Sequence, residues 1–181
     1  RGLRAWRSES SMDEATKRMV DGVRDAIQAE TEGHQFYLMA ARTTEDEQGR
    51  QVFEQLAAEE LEHVRFLKSQ YTALVETGKP DGSTRLGKPV TFRAESPIFS
   101  SRIKDRIGEA HFEMTALSVG IQLELAAETF YKRQAEAAAD PAVRSFFEEL
   151  ARWEAGHYQA LLGQQESLKE DYWAASRFSP F

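Results

Sequence analysis

Two octets, LAAEELEH at 56–63 and LARWEAGH at 150–157, constrain this chain more than any other feature. Each ends in Glu-x-x-His, as Glu60/His63 and Glu154/His157, and the two stand 94 residues apart. Residues three apart on an α-helix project from nearly the same face, so both side chains of such a pair reach one point. The offset extends well beyond the octets. Laid without a gap on 121–161, residues 27–67 are identical at 15 of 41 positions, including Glu30/Glu124, Tyr37/Tyr131 and Phe53/Phe147. Chance does not produce that, so the chain reads as two copies of one helical hairpin.

The repeat also selects among the acids. Glu59 falls on Trp153, Glu62 on Gly156 and Glu32 on Ala126, so these three have no mate and are set aside. Glu30, Glu60 and His63 have mates in Glu124, Glu154 and His157. One Glu from each of two helices, with Glu-x-x-His from each of two others, is the ligand set of carboxylate-bridged di-iron and di-manganese bundles. Charge supports this. Four carboxylates packed in a core without counter-charge repel one another and take up protons, whereas two divalent cations balance them.

The stretches AIQAETEGHQFY, LAAEELEH, GIQLELAAETFY and LARWEAGH resemble the rubrerythrin branch of the ferritin-like superfamily, over roughly residues 15–168. The resemblance implies an all-α fold, a ferritin-like four-helix bundle with a long crossover between the second and third helices. It implies that Glu60 and Glu154 bridge two metal ions while Glu30/His63 and Glu124/His157 cap one each. Tyr37 and Tyr131 become hydrogen-bond donors to ligand carboxylates; the plainer reading is two core tyrosines with other partners. Rubrerythrins carry a further ligand carboxylate three residues after the third helix's Glu, where this chain has Ala127. Glu128, one residue on, is the candidate substitute, with His34 opposite it either a ligand or its hydrogen-bond partner.

Function follows the same resemblance. It implies two iron ions (manganese is the other option) and reduction of hydrogen peroxide or dioxygen. Without cysteines, this chain has no rubredoxin-type centre, so its electrons are expected from an external donor protein or from an N-terminal part missing here. Two rival readings stay open: a ferroxidase linked to iron storage, and a non-catalytic module that senses iron or oxygen.

In chain order, periodicity predicts a helix from about Met12 to Arg42, capped by Ser10 or Ser11, and a second from Asp46 to Gly78. Residues 78–101, broken by Gly78, Pro80, Gly82, Gly87, Pro89 and Pro97, form the crossover, pinned by Ile98 and Phe99. A third helix is expected from about Arg102 to Ala139 and a fourth from Asp140-Pro141 to about Lys169. His111 falls off the seam as a surface residue. Glu54 and Glu148, though repeated, read as solvated faces. The bundle domain is thus 11–169, with an arm at 1–10 and an aromatic, aperiodic tail at 170–181 that docks on the bundle or on a second subunit. A homodimer is the expected assembly. The arm's GLRAW resembles the end of a rhodanese-like domain, a plain disordered arm being the other reading, and an opening residue other than Met suggests a fragment or processed product.

The bulk numbers exclude more than they assign. At 181 residues the chain can build a proper core. A net charge of −7 argues against nucleic acid as a partner. No run of 18 apolar residues is present, so no membrane span is expected. Zero cysteines exclude disulfides, thiolate zinc and iron–sulfur clusters within the chain. A soluble, cytoplasmic protein is the natural expectation.

Overall fold

The computed structural model describes residues 12–87 and 97–177. The arm at 1–10, the expected Ser10/Ser11 cap, Pro89 and the end of the tail at 178–181 lie outside those residues. Two long helices, α1 (Glu14–Thr43) and α2 (Glu47–Thr77), form the first hairpin. A short α3 (Arg102–Asp105) and a 3-10 turn (Ile107–Glu109) precede α4 (His111–Ala137) and α5 (Pro141–Ala175), the second hairpin. No strand occurs among the described residues.

The helix ends follow from side chains that satisfy orphan backbone groups. Asp13, not a serine, caps α1 by accepting from Thr16 N at 2.8 Å. Asp46 caps α2, accepting from Gly49 N at 2.8 Å, and Asp140 does the same for α5 through Ala142 N at 2.7 Å. Gly78 closes α2 at φ 72°, a left-handed conformation that glycine adopts without steric cost.

Two boundaries differ from expectation. The third long helix begins at His111 rather than Arg102, because the chain leaves helical geometry at Arg106 and turns through Ile107–Glu109, where Gly108 is the poorest helix former. The fourth runs past Lys169 to Ala175, absorbing the first half of the tail that looked aperiodic. Tyr172 packs on the bundle there and meets His111 Nδ1 at 2.8 Å, so exposed His111 anchors the end of α5.

The crossover returns the chain to the start of α2. Ser100 N donates to the α2 cap, Asp46 Oδ1, at 3.0 Å, and Phe99 lies over Gly49, where a Cβ would sit 2.4 Å from its ring. Ile98 and Phe99 are buried, with both backbone amides donating to Gln164 Oε1 on α5. Thr44 Oγ1 then reaches Glu113, in the first turn of α4, at 2.8 Å. So α2 and α4 begin at the same end and run parallel, as the length of the crossover requires.

The core is layered. One apolar cluster gathers Tyr37, Phe53, Leu56, Ile98, Phe99, Leu117 and Leu161. The other gathers Val20, Val23, Leu67, Leu74, Tyr131, Phe146, Phe147 and Trp153. Between them, on every long helix, stands a polar interruption: Glu30 on α1, Glu60 and His63 on α2, Glu124 on α4, Glu154 and His157 on α5. All six are buried at 3 % exposure or less.

Candidate metal centre

Each hairpin supplies one half of this polar layer. Glu30 lies on α1 and faces His63 across the first hairpin, with His63 Nδ1 3.2 Å from Glu30 Oε2. The same Nδ1 is 3.4 Å from Glu60 Oε2 and 3.1 Å from Glu154 Oε1. In the second half His157 Nδ1 lies 3.5 Å from Glu60 Oε1, 3.5 Å from Glu124 Oε2 and 3.7 Å from Glu154 Oε2. The six side chains form two groups of four, Glu30/Glu60/His63/Glu154 and Glu60/Glu124/Glu154/His157. Within each group one donor atom per residue lies within 4.8 Å of the others. Glu60 and Glu154 belong to both.

These atoms suit a metal ion better than one another. Glu60 Oε1 and Glu154 Oε1 are buried inside the layer without a donor hydrogen-bonded to them among the described residues. Buried polar atoms with nothing to bond are costly and uncommon, and a cation satisfies lone pairs that no donor reaches. The donor set, carboxylate oxygens and imidazole nitrogens, therefore fits a pair of hard or borderline divalent cations.

Without cations the layer balances itself with protons. Burial pushes Glu30 and Glu124 up, and the neighbouring Glu60 charge pushes both further, so these carboxyls sit well above the usual carboxylate range. Burial also works against ionised Glu60. Hydrogen bonds from Glu30, His157 and His63 outweigh it and hold Glu60 well below that range. Glu154 follows, down to about 2, with burial and the Glu60 charge opposed by His63 and His157. Burial alone would lower the imidazoles, but facing carboxylates raise both: Glu30 and Glu154 for His63, Glu124 for His157. The expectation that all four glutamates rise is thus corrected. Two rise and two fall, because the histidines act as internal counter-charges.

The tyrosines cross over between halves. Tyr37 on α1 donates its hydroxyl to Glu124 on α4, and Tyr131 on α4 donates to Glu30 on α1. Each ring is stacked on its hairpin's phenylalanine, Tyr37 on Phe53 at 6.2 Å and Tyr131 on Phe147 at 6.0 Å. Burial first, then the adjacent glutamate charges, keep both phenols protonated well above their usual value. Gly120 makes room for one of them, since a Cβ there would lie 3.2 Å from the Tyr37 hydroxyl.

Other expected contributors lie elsewhere. Glu128 joins neither group; half-buried, it pairs with exposed Lys132 one turn along α4. His34 does not meet Glu128. Its Nδ1–H donates to the carbonyl of Ala57 on α2 at 2.6 Å, which ties the first hairpin together. Of the acids without a mate, Glu32 and Glu62 are exposed, as are Glu54 and Glu148. Glu59 is the residue that sequence comparison missed. It is buried, its Oε2 accepts from His157 Nε2 at 2.8 Å, and Gln55 Nε2 approaches its Oε1 at 3.4 Å. The repeat discarded it for lack of symmetry. A signal was present, however: Glu59, His63, Phe66 and Gln70 recur at helical spacing, and all four are buried.

A profile of the family described as Rubrerythrin matches residues 21–163, which takes in part or all of each long helix and the whole polar layer. No curated protein and no solved structure gives a significant match. No helix among the described residues is long and apolar enough to cross a membrane.

Proposed function

The chain belongs to the rubrerythrin family, and from that premise we propose that it is a non-haem di-iron oxidoreductase. It reduces hydrogen peroxide or dioxygen with electrons from an external donor protein. The observation that carries the reading is the pair of buried four-residue groups sharing Glu60 and Glu154. Sharing suits those two carboxylates to bridging, leaving Glu30/His63 to cap one ion and Glu124/His157 the other. Four carboxylates against two imidazoles, with no thiolate, favour iron or manganese over zinc.

When bound, an iron pair supplies the two electrons that cleave an O–O bond. Two protons must accompany them for peroxide to leave as water. The chain's own part is to exclude bulk water, hold the capping carboxylates and keep protons at hand. Tyr37 and Tyr131 do the last two together, each fixing a capping carboxylate by its O–H and holding a proton one hydrogen bond away. This chain has no cysteine to hold a rubredoxin-type centre, so electrons are supplied from outside it, and a homodimer is the assembly we expect in solution.

Anaerobic loading with ferrous iron, followed by separate peroxide and oxygen challenges, tests the reading. The expected result is oxidation of both irons with the metal retained, and repeated turnover when a reductant is added. Iron released into a mineral as it oxidises would instead identify a ferroxidase. A centre that binds iron but turns over neither oxidant would identify a sensor.

A further inference from the structure

The repeat that makes the two halves of the polar layer alike fails at one position beside it. Glu59 precedes Glu60 on α2, and Trp153 precedes Glu154 on α5. Each backs the histidine of the other hairpin. Glu59 accepts the hydrogen bond of His157 Nε2 at 2.8 Å, on the side of the ring away from the cluster. Trp153 meets His63 edge to face, with ring centroids 4.9 Å apart, and His63 Nε2 is buried with no hydrogen-bond partner among the described residues. The two imidazoles point the same atom, Nδ1, at the carboxylates, and lie nearly parallel 6.1 Å apart. They differ in what stands behind them: a carboxylate for one, an indole for the other.

That difference has a chemical consequence. A histidine binds a metal through one nitrogen, and an acceptor on the other nitrogen fixes the tautomer and ring angle and makes the ligating nitrogen a stronger donor. Glu59 does this for His157, holding the proton on Nε2 and leaving the Nδ1 lone pair directed into the Glu60/Glu124/Glu154 group. Among the described residues, none does it for His63. Its Nε2–H must be buried against an aromatic ring, so the tautomer that would ligate is not favoured by any bond.

We propose that Glu59 is a positioning residue acting through His157, and that the Glu59/Trp153 exchange makes the two cation positions unequal. The Glu60/Glu124/Glu154/His157 position takes a divalent cation first and more tightly. The Glu30/Glu60/His63/Glu154 position fills second and releases first. This rests on the reading of the polar layer as a two-metal centre, but not on any oxidant or turnover.

The test is an anaerobic titration of the metal-free protein with cobalt(II), following the visible ligand-field bands and the paramagnetically shifted N–H protons of the histidines. Wild type should fill in two resolved steps, and the tight step should bring up one slowly exchanging imidazole N–H, that of His157. In Glu59→Leu the tight step should weaken by roughly 10–100-fold, the range found for such outer partners, with the weak step nearly unmoved and the protected N–H signal lost. Glu59→Gln, which keeps an acceptor without the charge, should retain the N–H signal and lose less affinity; it carries the test should Glu59→Leu fail to fold. Unchanged affinities and an unchanged N–H signal in both variants would overturn the role of Glu59. Equal weakening of both steps would overturn the inequality. A wild-type protein that binds no cation would sink the metal-centre reading itself, an outcome distinct from either.

Discussion

The first hairpin and the second each bring the same three residue types to the six-residue cluster, with the same tyrosine-to-glutamate crossing, yet they differ in what lies immediately behind it. Where the first half has Glu59 the second has Trp153, and where it has Ala26 the second has Gly120, pressed against the Tyr37 hydroxyl. Side chains that would touch a cation repeat in both halves, since under the proposed two-metal reading each ion would draw on a glutamate and a histidine of its own and on Glu60 and Glu154. Residues one layer out serve only one half each, and there the halves are free to diverge. Symmetry in the inner layer with asymmetry behind it is how a duplicated bundle can tune two equivalent positions separately.

The shared carboxylates are where breaking one half must break the other. Glu60→Ala combined with Glu154→Ala removes a donor from both groups twice over, so metal analysis should find neither ion retained. The loss should exceed the ~10–100-fold that outer partners cost. A double variant that still holds two ions would place the centre elsewhere in the molecule.

Protons offer the next largest effect. In the metal-free chain Glu30, Glu124, His63 and His157 bind protons more tightly than they would unfolded. Their contribution is full below the unfolded values, 4.5 for glutamate and 6.5 for histidine, and is lost as pH rises through the raised ones. Glu60 and Glu154 run the other way. Theirs is present above 4.5 and lost as pH falls, for Glu154 towards about 2. Metal-free protein should therefore be most stable on the acidic side of neutrality. Metal loading competes with protons on those groups, so the rise in Tm on loading should grow with pH, and proton release should be measurable in weakly buffered solution. A loading effect on Tm that shrinks from pH 6 to pH 8 would contradict this balance of charges.

The tyrosines compare the halves more finely. Tyr37→Phe and Tyr131→Phe each delete one hydroxyl from a capping glutamate without opening a cavity. Both should keep two ions and slow peroxide turnover by about tenfold, or about 1.4 kcal/mol in the barrier. Under the inequality inferred above, Tyr37→Phe should disturb the tighter position, because its partner is Glu124, and Tyr131→Phe the weaker. Identical effects on metal affinity would show that the halves differ only through Glu59.

Much of this was legible in the sequence because the polar layer and the seam obey one period. Glu30, Glu60, His63 and their mates interrupt otherwise apolar helical stripes, and an internal repeat does for them what comparison of relatives would do. The same reasoning lost Glu59, since a filter for symmetry discards whatever distinguishes the halves. It also misjudged the ends. Arg102 to Ala110 has helical composition, but the chain breaks at Arg106 before Gly108. The segment after Lys169 lacks a stripe because only its Tyr172 face needs burial. Neither error touches the centre, because the ends are set by local docking and the middle by the common core.

Glu128 is the residue on which periodicity and structure part, and it provides the smallest expected effect. On α4 it stands one turn beyond Glu124, so a seam drawn at spacings of three and four includes it as a fifth carboxylate. The position facing inward one turn on is not 128, however. Tyr131, seven residues after Glu124, takes the inner face, whereas Glu128 rotates toward α5's outer edge and meets Lys132. Pairs of this kind at i, i+4 on a helix surface contribute about 0.3–0.5 kcal/mol. Glu128→Gln should therefore leave both cation affinities and peroxide turnover unchanged and shift stability by no more than that. Glu59→Gln, likewise outside the repeat's symmetric set but bonded to His157, should move the tighter affinity. If Glu128→Gln slows turnover tenfold while Glu59→Gln changes nothing, the fifth carboxylate of this centre is on α4 after all, and the asymmetry between the halves lies at His34 rather than at Trp153.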